Sequence, residues 1–163
     1  MRFFALILTW LFTSLLVDAA DFKFQHLNTS YGLPNQQVES LVQDHDGYIW
    51  IGTRNGLAKY DGYNVETYYH IEGKNNSLVH NFVHGLFVDS KNRLWISTEN
   101  GVSLYRPKTD DFRNYHNVRG YCTSFVETND GRIMTGYSQL FASDAMVPAL
   151  SEGTTTNESF LVS

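Results

Sequence analysis

The chain has 163 residues, 42% hydrophobic and 18% charged, which suits one folded domain and is too apolar for intrinsic disorder. Its 17 acidic against 12 basic residues, net −5, argue against a nucleic-acid partner, whose phosphates need Lys and Arg to displace counterions. The lone Cys122 excludes an intrachain disulfide framework and a zinc finger, and no Gly-rich phosphate loop, His-Glu-x-x-His or Gly-x-Ser-x-Gly is present.

Met1-Arg2 precedes an apolar run from Phe3 to Val17 and then Asp18-Ala19-Ala20. One positive charge, a short hydrophobic stretch and terminal small residues predict a secretory signal peptide over residues 1–19, cut after Ala19. The run is shorter than the about 20 apolar residues that cross a bilayer. The mature chain is therefore expected outside the cytoplasm and without a membrane span. Phe22–Leu27 reads as an orphan outer strand, similar to Val65–His70 and Phe112–His116.

A repeat follows. Leu41–Tyr60 aligns without gaps on Leu86–Tyr105 at an offset of 45 residues, Trp50 matching Trp95 (95 − 50 = 45). Asp44 matches Asp89, Thr53 matches Thr98, and Asn55-Gly56 matches Asn100-Gly101. Phe125–Gly136 is a degenerate third copy in which Met134 replaces the Trp. Within the first copy the expected strands are Val38–Gln43, Tyr48–Thr53, Leu57–Tyr60 and Val65–His70. Asp-Gly and Asn-Gly turns separate them, because those residues tolerate positive φ. Strand two is apolar on both faces, Tyr48 and Trp50 on one and Ile49 and Ile51 on the other. A sheet with one wet face would alternate, so each sheet is expected to stack between similar sheets. Such units of about 40–45 residues are β-propeller blades. The expected fold is all-β: two clear blades of four-stranded antiparallel meanders (33–70 and 78–116), a degenerate third (121–142), an incomplete ring, and a polar non-repeat tail over 143–163.

Leu33-Pro-Asn-Gln-Gln-Val, followed by Asp44-x-Asp-Gly-Tyr-Ile-Trp-Ile-Gly-Thr-x-Asn-Gly-Leu-x-x-Tyr-Asp-Gly62, resembles the two-component regulator propeller repeat. The resemblance spans residues 22–136. It implies the periplasmic sensor region of a histidine kinase, often hybrid, or of a diguanylate cyclase. The family's output domain has no counterpart in these residues, so no enzymatic activity is expected. The 163 − 19 = 144 residues after the signal hold about three blades, whereas a closed ring needs roughly 4–8. A gene fragment is the expectation. The alternative is a small partner that assembles blades from several chains through open blade edges.

Candidate chemistry divides into structural and functional readings. Trp50 and Trp95 share one repeat position and read as core rather than sugar platforms. Asp44-His-Asp-Gly47 lacks the spaced ligands and closing Glu of a calcium loop and reads as a turn. Thr53 and Thr98 are expected to hydrogen-bond within their blades. His80 and His84 have helical metal-pair spacing, but in a strand positions 80, 82 and 84 share a face too extended for shared ligation, and no third ligand is near. Cys122 reads as a small buried hydrophobe. The sequons at Asn28, Asn75 and Asn157 are incidental in a bacterial setting. No metal and no cofactor is expected.

In a four-stranded meander, the link into strand one and the turn between strands two and three lie at one end. That end collects Tyr31–Gln37, Thr53–Gly56, Glu72–Asn81 and Thr98–Gly101. Loops on a rigid scaffold are where binding residues gather. The candidate ligand-binding residues are Asn35, Gln36, Arg54, His80, Asn81 and Glu99, suited to a polar small molecule or an oligosaccharide. The sequence thus reads as an extracytoplasmic ligand-sensing propeller module. The alternatives are a secreted propeller lyase or hydrolase, which would need an acid/base pair with defined spacing, and a fragment without function.

Overall fold

The computed structural model describes residues 26–116 and 121–138, with two short strands at 147–148 and 159–160. The expected signal segment, residues 22–25 of the outer strand, the Cys122 side chain and most of the tail lie outside the described residues. Strands β1 (Val38–Gln43), β2 (Ile49–Thr53), β3 (Gly56–Tyr60) and β4 (Val65–Tyr68) pair in that order as an antiparallel sheet. Strands β5 (Val83–Val88), β6 (Leu94–Thr98), β7 (Gly101–Arg106) and β8 (Asp111–Tyr115) repeat it. A third unit is a hairpin, β9 (Tyr121–Glu127) with β10 (Ile133–Ser138), and β11 (Val147–Pro148) pairs with β12 (Ser159–Phe160). These sheets are propeller blades; no closed ring is formed by the described residues.

The strands form where the alternation and the turns dictate. The first begins and ends as expected. The fourth stops two residues short of His70, because the His70 amide leaves the ladder and donates to Asn81 Oδ1 at 2.7 Å. Tyr48 precedes β2 and is exposed, so the doubly covered stretch begins at Ile49 rather than Tyr48.

Both blade faces are packed. Trp50 and Leu57 of the first blade form one core cluster with Val83, Leu94, Ile96 and Tyr105 of the second. Trp95, Val102 and Leu104 of the second blade pack in turn on Ile133 of the third. Trp50 and Trp95 are each 1% exposed, which settles them as core. Leu86 packs back onto the first blade and Phe125 stacks on Phe87 at 6.1 Å. The same positions at the two ends of this stack, Leu41 and Val126, are 61% and 55% exposed.

One repeat device locks turn to core. Asp44 accepts from the amides of Asp46 and Tyr48 and from Trp50 Nε1 at 2.7 Å. Asp89 accepts from the amides of Lys91 and Arg93 and from Trp95 Nε1 at 2.9 Å. In the third unit Thr128 stands at the Asp position and Met134 at the Trp position. With no indole N–H to satisfy, a hydroxyl suffices: Thr128 Oγ1 accepts from the Arg132 amide and donates to Asp130.

Blades are also tied along their inner strands. The Leu86 amide donates to Ser40 Oγ at 3.1 Å. The His45 amide donates to Asn92 Oδ1 of the second blade, and the Ser90 amide, one repeat later, to Glu127 of the third. Tyr68 and Tyr105 both donate to Asp110. Burial and that carboxylate push both phenols well above the ordinary tyrosine range, so they remain donors.

Blade contact leaves no room at Gly52. A Cβ there would lie 2.6 Å from Val83 Cγ1 of the second blade. Gly52→Ala should destabilise by about 1–3 kcal/mol in urea unfolding, and adding Val83→Ala should recover part of the loss. A neutral single change would mean the blades separate freely.

Candidate functional site

The end of the blades that carries the candidate residues is built by a repeated bulge. Val38 pairs with Thr53 and Ser40 with Gly52, so Glu39 is an extra residue in β1. Val83 pairs with Thr98 and Gly85 with Ser97, so His84 is its equivalent in β5. The register also shifts in β9, between Gly136 and Tyr137 on its partner, which places Thr123 at the same position. Bulges re-aim side chains, and here they turn Glu39 and His84 towards the opposing hairpin turns.

Those turns are two-residue loops, Arg54-Asn55 and Glu99-Asn100. Thr53 Oγ1 donates to the Gly56 carbonyl at 2.8 Å and Thr98 Oγ1 to that of Gly101 at 2.9 Å, which closes each turn as the sequence predicts. Gly56 and Gly101 take φ of +126° and +137°, where a side chain is strained. The Arg54 amide donates to the Gln37 carbonyl, and the Glu99 amide to that of Phe82, again one repeat apart.

The bulge and turn side chains then pair with acid and base exchanged between blades. Arg54 Nε donates to Glu39 at 2.5 Å, with the acid on the bulge and the base on the turn. His84 Nε2 lies 2.6 Å from Glu99 Oε2, with the base on the bulge and the acid on the turn. Phe82 joins the pairs across the blade boundary. The Arg54 guanidinium lies 5.4 Å from its ring centre, and the His84 ring stacks on it at 4.1 Å. Glu39, Arg54, Phe82, His84 and Glu99 therefore form one continuous array over two blades.

The other candidates sit around this array. Asn35 Oδ1 accepts from the Gln37 amide, holding the turn whose carbonyl receives Arg54. Gln36, inside that turn, is exposed. Asn81 is committed to structure: its carbonyl accepts from the Gly56 amide at 2.7 Å and its side chain from His70. His80 lies before β5, not in it, and its Nδ1 accepts from the Phe82 amide at 3.1 Å. A neutral His80 ring then carries its proton on Nε2. His80 and His84 are engaged separately, and the bulge at His84 breaks the strand alternation on which their common face was argued. Among the described residues no group of three His, Cys, Asp or Glu side chains is placed around a metal position.

Of the residues expected at this end from the sequence, Arg54 and Glu99 lie in the array; the contacts of Glu39, Phe82 and His84 were not anticipated. The signal was present in the alignment, since Glu39/His84 and Arg54/Glu99 are both 45 apart and each exchanges an acid for a base. The bulge that makes them meet is not a sequence-visible feature.

At the opposite end a cleft of about 430 Å³ is lined by Tyr48, Lys59, Asp61 and Asn64, and a smaller one of about 80 Å³ lies between the blades. Lys59 Nζ sits there 4.3 Å from the Tyr48 ring centre and 5.5 and 5.8 Å from those of Trp50 and Tyr105. That arrangement is a cation–π staple between blades.

The family model for the two component regulator propeller matches residues 32–55 and 77–100, one segment in each clear blade. Over 66 residues the chain is 33% identical to Histidine kinase P4 of Formosa agariphila, covering 40% of this chain and 5% of that protein. The fold is similar to the extracellular domain of BT3049 from B. thetaiotaomicron, assigned as a hybrid two component system. That match has a TM-score of 0.61 at 25% identity, over 68% of this chain and 17% of the other. It is similar also to the extracellular domain of BT4673 from the same organism, assigned as a one component system, with a TM-score of 0.60 at 26% identity over 70% of this chain and 16% of the other. The chain thus spans a small part of each protein it matches.

Proposed function

We propose that this chain, whose two clear blades each match the two component regulator propeller model, serves as the extracytoplasmic ligand-sensing part of a signal-transduction receptor. The observation that carries the proposal is the likeness of two successive blades to extracellular domains of such systems. The signal-like residues 1–19 agree with export to the periplasm. Among the described residues no helix is long and apolar enough to cross a membrane.

The ligand surface on this reading is the bulged end, where Arg54, His80, Gln36 and Glu99 lie on turns and links held by the blades. Its groups are hydrogen-bond donors and acceptors beside an aromatic ring, which suits a polar ligand such as an oligosaccharide. The lyase or hydrolase alternative requires an acid and a base free to act on a substrate. Here the carboxylates of Glu39 and Glu99 are each engaged with a basic partner.

Calorimetric titration of the protein with a panel of oligosaccharides tests the proposal. Arg54→Ala and His80→Ala should each weaken binding at least tenfold while the unfolding midpoint stays near that of the parent. Unchanged affinity in both variants would remove this end as the site.

A further inference from the structure

The paired array decides which kind of polar ligand this end accepts. Resting on the reading above, we infer that the bulged end takes a neutral, hydroxyl-bearing chain laid across the first two blades and rejects acidic chains, with Glu39, Arg54, His84 and Glu99 as the groups that set this preference.

Three observations lead there. The first is charge. The groups at this end are Glu39, Arg54, His70, Glu72, Lys74, His80, His84 and Glu99, three carboxylates against two fixed cations before histidine protonation. The Arg54 guanidinium already holds Glu39, and His84 already holds Glu99. An incoming carboxylate or sulfate would meet the Nη groups of Arg54, which holds Glu39 through Nε alone, and Lys74, but it would sit beside the like-charged carboxylates of Glu39, Glu72 and Glu99.

The second is the order of the groups. Acceptor, donor, ring, donor and acceptor follow one another from Glu39 to Glu99 across the blade boundary. A hydroxyl both donates and accepts, so neighbouring hydroxyls can bridge a carboxylate and its basic partner without breaking the pair. The exchange of acid and base between the blades makes the array read nearly the same from either end.

The third is accessibility with rigidity. The side chains of Arg54 and Glu99 are 50% and 44% exposed, while those of Glu39 and His84 are 29% and 18% exposed. The outer members can reach a ligand, and the inner members hold them in place at bulges fixed by strand pairing. The repeat places Thr123 and Ser138 at the equivalent sequence positions of the third unit, so no further charge is supplied there.

The test titrates the full chain with neutral cello-, xylo- and laminari-oligosaccharides and with oligogalacturonides, at low and at high salt. Binding of a neutral oligosaccharide, with affinity changing less than threefold between about 50 and 500 mM salt, is expected. The isosteric double change Glu39→Gln with Glu99→Gln should weaken that binding tenfold or more and raise oligogalacturonide binding, with thermal unfolding checking that the blades stay folded. Tighter binding of the oligogalacturonides by the parent, lost at high salt and lost in Arg54→Ala, would overturn this inference while leaving the site where it is. Neutral binding insensitive to the double change and to Arg54→Ala would overturn both, as would binding of neither class.

Discussion

Asp89→Ala should destabilise the protein by about 3–5 kcal/mol, the loss expected when a buried charge pair is broken from one side. The Asp89 side chain is fully buried and receives four donors: the amides of Lys91 and Arg93, Arg93 Nε at 2.6 Å and Trp95 Nε1. Its removal leaves the indole N–H without its acceptor and takes the carboxylate away from the Arg93 guanidinium. Burial pushes its pKa up, but the Trp95 and Arg93 hydrogen bonds and the Arg93 charge outweigh this and hold it below the ordinary 3.8. A depressed folded pKa means the contribution is complete above about pH 4 and is lost as pH falls through the folded value. Urea unfolding at pH 7 and pH 3 should therefore show a smaller difference for the variant than for the parent. The equivalent Asp44→Ala should cost less, because Asp44 is only half buried and Tyr48 stands where Arg93 does in the second blade. Equal costs at the two positions, or less than about 1 kcal/mol at Asp89, would show that the turn holds without its carboxylate.

Trp50→Ala should cost a similar amount, about 3–5 kcal/mol, and should loosen the first blade from the second. The Trp50 ring lies 4.7 Å from that of Tyr105 and 5.9 Å from that of Tyr68, centre to centre, and its indole closes the Asp44 turn. The cavity would open between sheets, where neighbouring strands cannot collapse without breaking the Ser40–Leu86 and Tyr68–Asp110 ties. Loss of near-ultraviolet dichroism and an earlier urea midpoint are the expected readouts. An unaltered midpoint would mean that the blades are stabilised singly and not by stacking.

The fold was legible because its signals are local and repeated. Asp-Gly and Asn-Gly turns mark the strand ends, and Trp50/Trp95 mark the face that packs on the next blade. The strand that missed its expected end did so through a long-range bond, His70 to Asn81, which no local pattern contains. The candidate end was also legible, since meander connectivity alone puts the entry link and the second turn together. Its working detail was not. Asn81, expected at the ligand surface, has both its carbonyl and its side-chain oxygen committed to the link. Glu39 passed as an ordinary strand residue.

What the amino-acid sequence determined by itself is therefore the blade: strand order, turn chemistry, the buried Trp50 and Trp95 and the 45-residue period. Hydrophobic alternation and turn propensity act over a few residues, so a repeat states them twice. Only the tertiary structure decided that the two bulges fall at Glu39 and His84, that they pair with Arg54 and Glu99, and that Phe82 joins them. A bulge is a mismatch in register between two strands, and a contact across blades depends on how sheets stack. Both are properties of pairs of elements, fixed when the core closes.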